Sequence, residues 1–117
     1  MAEVGVATEV IRGAIQRKHA MAQVQELLRV PRSQNLEITA AYLYGSYALG
    51  TAHTDSDIDV AVISPDLTGD RVQDWIRLTT VASRIDPHFE VIGFRPEQFR
   101  DEHPLAWEVR TRGIRVQ

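Results

Sequence analysis

The chain has 117 residues, of which 44% are hydrophobic and 25% are charged. These values are typical of soluble globular proteins, and the length predicts one domain over residues 1–117. Because there is no cysteine, disulfides and thiolate metal sites are excluded. The net charge of −3 argues against an extensive nucleic-acid surface, which usually needs a basic face.

The chain has no apolar run near the ~18 residues that a membrane span requires. Its first residues, MAEVGVATEV, lack the basic start and apolar centre of a secretory signal. We therefore expect a cytoplasmic protein with no membrane partner. A core this small also favours association, as a homodimer or within a hetero-oligomer.

Helix and strand patterns alternate along the chain. Apolar residues at steps of three and four predict a helix from about Gly5 to Arg29. The runs ITAAYLY (38–44), DIDVAVI (57–63) and FEVIGF (89–94) predict three short strands. Between the last two strands, the sequence predicts a helix from Asp70 to Ile85, with Asp70 as its N-cap. Its predicted inner side carries Val72, Trp75, Ile76, Ala82 and Ile85.

The tail is predicted to be helical from Pro96 to about Arg112, with Gly113 as a C-terminal cap. The IRV that follows is expected to add a short edge strand. Together these elements predict an α/β (α+β) fold, in which a small mixed sheet is packed with helices.

Two carboxylates open the second predicted strand. Side chains alternate faces along a strand, so Asp57 and Asp59 point to the same side, about 6.5–7 Å apart. Two such charges on an apolar strand are costly to bury unless cations neutralise them. Mg²⁺ suits this role, because it prefers one or two carboxylates together with phosphate oxygens and water.

Two further features extend this pattern. Glu90 is the second residue of the third predicted strand, and it joins Asp57 and Asp59 if that strand pairs beside the second one. Three carboxylates around two Mg²⁺ ions can promote in-line displacement at phosphorus.

Gly45 and Ser46 end the first strand just before a short helix, where glycine permits close backbone approach to a phosphate and the serine hydroxyl can donate to it.

The stretch GSYALGTAHTDSDIDVAV resembles the GSxxRG…SDxDL motif of the DNA polymerase β-like nucleotidyltransferase superfamily. The most similar branch is the minimal nucleotidyltransferases, or MNT group. The resemblance runs from about Ile38 to Val116. FEVIGFRPEQF is similar to the family's third strand, and HPLAWEVRTRGIRV is similar to its closing helix. The resemblance implies the polymerase β-like fold, and it assigns catalysis and metal binding to Asp57, Asp59 and Glu90, and nucleotide binding to Gly45 and Ser46.

The resemblance also implies a function: Mg²⁺-dependent transfer of a nucleoside monophosphate, in the leading hypothesis AMP from ATP, to an acceptor hydroxyl. The MNT group implies a HEPN-type helical partner protein, in a toxin–antitoxin pair where the MNT protein modifies the toxin. Two alternatives stay open. One is a catalytically degenerate nucleotide-binding module that neutralises or assembles with such a partner. The other is a small-molecule nucleotidyltransferase of the aminoglycoside type, which usually has an extra domain.

Two positions depart from the family motif. Leu49 stands where many members have arginine, and Glu90 stands where aspartate is common. Arg95, just after the third strand, is a candidate replacement for the charge that Leu49 does not supply.

Two interpretations without catalysis compete for the same residues. Asp55, Asp57 and Asp59 have the spacing of a calcium loop, but that loop needs glycine and a later glutamate where this chain has Val60 and Asp66. An aspartate-rich turn without function would account for Asp57. It does not explain Asp59, which falls inside the predicted strand.

Several other polar and aromatic residues have ordinary structural interpretations. Glu90 is compatible with a solvated charge near a strand end, and His53 with an exposed loop residue. Packing is the expected role of the tyrosines and tryptophans, namely Tyr42, Tyr44, Tyr47, Trp75 and Trp107.

Overall fold

A computed structural model of the chain describes residues 17–29, 36–52 and 56–117. Helix α1 covers residues 17–29. The other helices and strands follow in chain order: β1 (Ala40–Tyr44), α2 (Gly45–Leu49), β2 (Ile58–Ile63), α3 (Arg71–Ala82), β3 (Phe89–Phe94), α4 (Pro104–Arg112) and β4 (Ile114–Arg115). This order confirms the predicted sequence of elements. The first part of the predicted N-terminal helix, as well as His53 and Asp55, lies outside the described residues.

The four strands form one mixed sheet in the order β3-β2-β1-β4. Strand β1 is antiparallel to both β2 and β4, whereas β2 and β3 are parallel. Parallel neighbours need a crossover connection, and α3 provides it. The predicted fold class is therefore confirmed, and so is the small edge strand near the C-terminus.

The sheet has an apolar core on each side. On one face, residues of β1, β2 and β3 such as Leu43, Val60 and Val91 pack with buried side chains of α1 and α3. On the other face, Tyr42, Ala61, Ile63 and Phe94 pack with Ala106 and Val109 of α4. We call this second side the α4 face. Because side chains alternate along each strand, Asp59 and Glu90 project on the α4 face.

For the N-terminal half of α3, the prediction of which side chains face the core is wrong. The buried residues are Asp74, Leu78 and Ala82, whereas Val72, Trp75 and Ile76 are exposed. Hydrogen bonds fix this rotation. The backbone N–H and hydroxyl of Thr68 and the N–H of Gly69 donate to the Asp74 carboxylate at 2.8–3.0 Å. The N-cap prediction is confirmed, since Asp70 accepts from the N–H groups of Val72 and Gln73.

The predicted helix over residues 96–112 is interrupted. A single 3-10 turn covers Pro96–Gln98, and α4 begins only at Pro104, after His103 as N-cap. Proline at the first helical position lacks the N–H that a continuous helix would need there. Gly113 is the C-cap, as predicted. Within the described residues, no helix is both long and apolar enough to cross a bilayer.

Candidate active site

The sheet register brings two of the three predicted carboxylates together. Asp59 pairs with Glu90 across the parallel β2–β3 ladder, and with Tyr44 across the antiparallel β1–β2 ladder. Side chains at paired positions of neighbouring strands lie on the same face, so these three residues form a row across the sheet. The conditional prediction for Glu90 required β3 to pair beside β2, and it does.

Asp57 lies just before β2 and is exposed. It is near enough to act on Asp59, because its charge contributes to the raised pKa of that residue. Strand β2 begins at Ile58, which is one residue later than predicted. Asp59 and Glu90 lie at one end of the α4 face, and Asp57 precedes them in the loop before β2. Within the described residues, no group of three or more His, Cys, Asp or Glu side chains has the geometry to hold a metal ion.

The electrostatics of this row favour the binding of a cation. Burial, the Glu90 charge and the Asp57 charge, in that order, raise the pKa of Asp59 from 3.8 to about 6. A carboxylate whose ionised form is opposed by two like charges and by partial burial gains most from a nearby cation. The donor set consists of carboxylate oxygens, which suit a hard divalent ion such as Mg²⁺.

Gly45 lies directly against Asp59. Its backbone φ is +70°, and a Cβ added at this position would be 2.2 Å from Asp59 Oδ2. Any other residue would therefore be strained in its backbone and would collide with the carboxylate. Ser46 follows as the second residue of α2 and is partly exposed. Gly45 thus adjoins Asp59, and Ser46 is the next residue along the chain.

Tyr44 is a member of the site that sequence reasoning did not identify. It was assigned to packing, and it does pack against the core of the α4 face. Burial and the charges of Asp59 and Glu90 also raise the pKa of its hydroxyl, which the Arg71 charge partly opposes. The available signal was its position immediately before Gly45, at the end of the first predicted strand.

Arg17 of α1 holds the short helix beside the site. Its Nε donates to Tyr47 O at 3.0 Å and its Nη2 donates to Ala48 O at 2.9 Å. These bonds place a positive charge at the last carbonyls of α2, where it suits the helix dipole. Leu49, at the motif position where arginine is common, is 56% exposed.

Arg95 does not replace the missing charge. Its Nη1 donates to Pro65 O and Leu67 O, both at 2.7 Å, and its Nε pairs with Glu97. It follows the C-terminal end of β3, whereas Glu90 lies near the N-terminal end of the same strand. Arg95 therefore secures a loop at the opposite end of the sheet from the carboxylates.

A mixed sheet that carries Asp59 and Glu90 on one face, directly beside the glycine that begins α2, is typical of a nucleotidyltransferase-type domain. The family model for polymerase β nucleotidyltransferases matches residues 25–115. The chain belongs to this family.

Comparison with individual proteins gives the same assignment. The chain is 34% identical to the protein adenylyltransferase MntA of Shewanella oneidensis over 77 residues, which is 64% of this chain and 55% of MntA. It thus spans about half the length of that curated relative. This similarity confirms the predicted resemblance to the MNT group.

Solved structures resemble the chain in fold. A toxin–antitoxin complex with AMP-PNP shares 30% identity at a TM-score of 0.57, over 83% of this chain and 72% of that one. A second toxin–antitoxin complex, MntA–HpeT, has two aspartates, two positions apart, replaced by glutamate. It shares 26% identity at a TM-score of 0.57, over 80% of this chain and 71% of that one. A Sulfolobus solfataricus protein described as a candidate nucleotidyltransferase matches at 19% identity and a TM-score of 0.56, over 92% of this chain and 85% of that one. At this identity the similarity concerns the fold alone.

Proposed function

We propose that this protein is a Mg²⁺-dependent adenylyltransferase, which moves AMP from ATP to a hydroxyl of a partner protein. The observation that carries the proposal is the pairing of Asp59 with Glu90 on one sheet face, with Asp57 two residues before Asp59. Asp59 and Glu90 on one sheet face, with the Asp57 charge acting on Asp59, are costly to the free protein and suit a site that binds cations.

Each site residue then has a role that follows from its place. Asp57, Asp59 and Glu90 would hold two divalent ions, which supply positive charge for the triphosphate and for the developing charges at phosphorus. Gly45 lets the backbone pass close to Asp59, and Ser46 would donate its hydroxyl to a phosphate oxygen.

The nucleotide and the acceptor are inferred from the relatives. One similar complex holds AMP-PNP, and MntA is named a protein adenylyltransferase. Two similar structures are toxin–antitoxin complexes. The aspartates replaced in one of them have the same spacing as Asp57 and Asp59. We therefore infer that the protein acts as the antitoxin of a pair. That its partner is a helical protein of the HEPN type is inferred from the resemblance of GSYALGTAHTDSDIDVAV to the MNT group.

The test is transfer of label from α-labelled ATP to the co-purified partner, with and without Mg²⁺. Asp57→Asn, Asp59→Asn and Glu90→Gln should each reduce labelling to the level without Mg²⁺, while circular dichroism stays unchanged. Glu102→Gln is the matched control, because Glu102 is an exposed carboxylate outside the row. Undiminished labelling by the Asp59 variant would refute the assignment.

One observation favours a second function, a nucleotide-binding module that neutralises its partner without transfer. Leu49 leaves an exposed apolar side chain where the family motif has arginine. Calorimetry separates the two functions: Mg²⁺-dependent ATP binding without labelled partner would identify the module. Leu49→Arg should then restore transfer, because it returns a positive charge to the motif.

A further inference from the structure

Helix α3 carries an apolar stripe on its outside. Val72 is 63% exposed, Trp75 40% and Ile76 52%. The spacing i, i+3, i+4 places them on one side of the helix. We call these three residues the α3 stripe. Large apolar side chains grouped in this way mark interaction sites more often than scattered ones do.

The stripe lies beside an edge of the sheet and away from the carboxylate row. Thr79, one turn after Trp75 and Ile76, receives a hydrogen bond from Val91 N and donates to Val91 O on β3. Strand β3 is the outermost strand on this side. Because α3 packs on the face opposite Asp59, a protein bound to the stripe leaves the α4 face open.

The exposed charged residues of α3 and its two ends are positive on balance, with Arg77 and Arg84 against Asp70, although the whole chain has a net charge of −3. Arg77 on α3 and Arg84 in the turn after it are both exposed. Asp74 is buried and accepts three hydrogen bonds from the preceding loop. The N-cap Asp70 is exposed, but its carboxylate accepts from backbone N–H groups of the first turn.

We propose that the α3 stripe is the docking surface for an amphipathic helix of the partner protein, whose polar flank is acidic. A narrow row at helical spacing matches the apolar face of a second helix, and Arg77 and Arg84 complement acidic residues beside that face. A second copy of this chain fits less well. A second copy would present Arg77 and Arg84 themselves beside its stripe, and these do not complement the same two arginines. The proposal rests on the proposed function only for the identity of the partner.

Two synthetic helical peptides provide the probe. Both carry leucine at i, i+3, i+4 and i+7; one has glutamate along its polar flanks and the other has lysine. In a Trp107→Phe background, Trp75 is the sole tryptophan, so its fluorescence reports binding at the stripe. We expect the glutamate peptide to bind at least tenfold more tightly than the lysine peptide, and Ile76→Asp to remove binding of both.

Reversing the two arginine charges provides a second test. The double variant Arg77→Glu, Arg84→Glu should reverse the preference, so that the lysine peptide binds more tightly. Equal affinity for both peptides in every variant would overturn the proposal. So would concentration-dependent dimerisation in sedimentation experiments that Ile76→Asp abolishes, because a second copy would then cover the stripe.

The proposed catalytic function is tested separately from the docking surface. Mg²⁺-dependent ATP binding, measured by calorimetry, should be unchanged in Ile76→Asp, because the stripe and the carboxylate row lie on opposite sides of the sheet. If Asp59→Asn leaves transfer intact while the peptide preferences hold, the catalytic assignment is wrong and the docking surface stands. If ATP binding is intact and the peptide preferences are absent, only the docking surface is refuted.

Discussion

Replacing Gly45 with alanine tests the close packing at the centre of the site. The added Cβ would be 2.2 Å from Asp59 Oδ2, whereas carbon–oxygen contacts are normally at least about 3.3 Å long. The two groups must therefore separate by about 1 Å. A displacement of this size at a catalytic group can reduce a rate about 100-fold. Alanine at a φ of +70° also costs about 1–2 kcal/mol of stability.

Gly69→Ala is the matched control. Gly69 has a φ of +88°, and its added Cβ would meet Arg95 Cδ at 3.2 Å, a far milder contact than the 2.2 Å at Gly45. Both variants should lose about 1–2 kcal/mol in urea unfolding, but only Gly45→Ala should lose transfer of labelled AMP, by about 100-fold. If the two variants retain transfer to within a few-fold of each other, the contact between Gly45 and Asp59 does not limit the reaction.

Two further predictions concern stability. In the absence of divalent ions, Asp59→Asn should raise the free energy of unfolding at pH 7.5 by about 1 kcal/mol, after allowance for the partial exposure of Asp59. The pKa of Asp59 is about 6 in the folded protein against 3.8 normally, so wild-type stability falls as pH rises through this window. The difference should vanish below about pH 4 in urea titrations; a constant difference would contradict the pKa shift. Asp74→Ala should destabilise the protein by about 3 kcal/mol, because it removes a buried carboxylate that accepts three hydrogen bonds from Thr68 and Gly69; a loss below about 1 kcal/mol in urea unfolding would contradict this role.

The motif region could be predicted well because its evidence is local. Gly45 directly follows a strand and Asp59 falls inside the next, as the sequence predicts, whereas Asp57 precedes that strand, so strand alternation does not settle its side. The role of Glu90 was only conditional, because the pairing of β3 with β2 is a long-range property. The sequence pattern of FEVIGF predicted the strand itself, Phe89–Phe94, with the observed bounds.

The rotation of α3 could not be predicted from apolar periodicity. Val72, Trp75 and Ile76 form a more apolar row than Asp74, Leu78 and Ala82, so the pattern favoured the wrong side. Asp74 is buried because loop N–H groups satisfy its charge, and those partners are recognisable only in three dimensions. The role of Arg95 could not be predicted for the same reason, because the carbonyls that it binds belong to a loop distant in sequence.

The parallel pairing of β2 and β3 has a consequence for how the protein folds. The β1–β2 pair unites Tyr44, Gly45 and Asp59 through a local connection, but Glu90 joins them only after the chain has passed through α3 and returned. Contacts of such long sequence separation carry a larger loop-closure cost and slow folding. We therefore expect the carboxylate row to be completed late in folding. A ligand that needs Glu90 would then bind the finished domain and not an early intermediate, and its binding free energy would add directly to the stability of the native state.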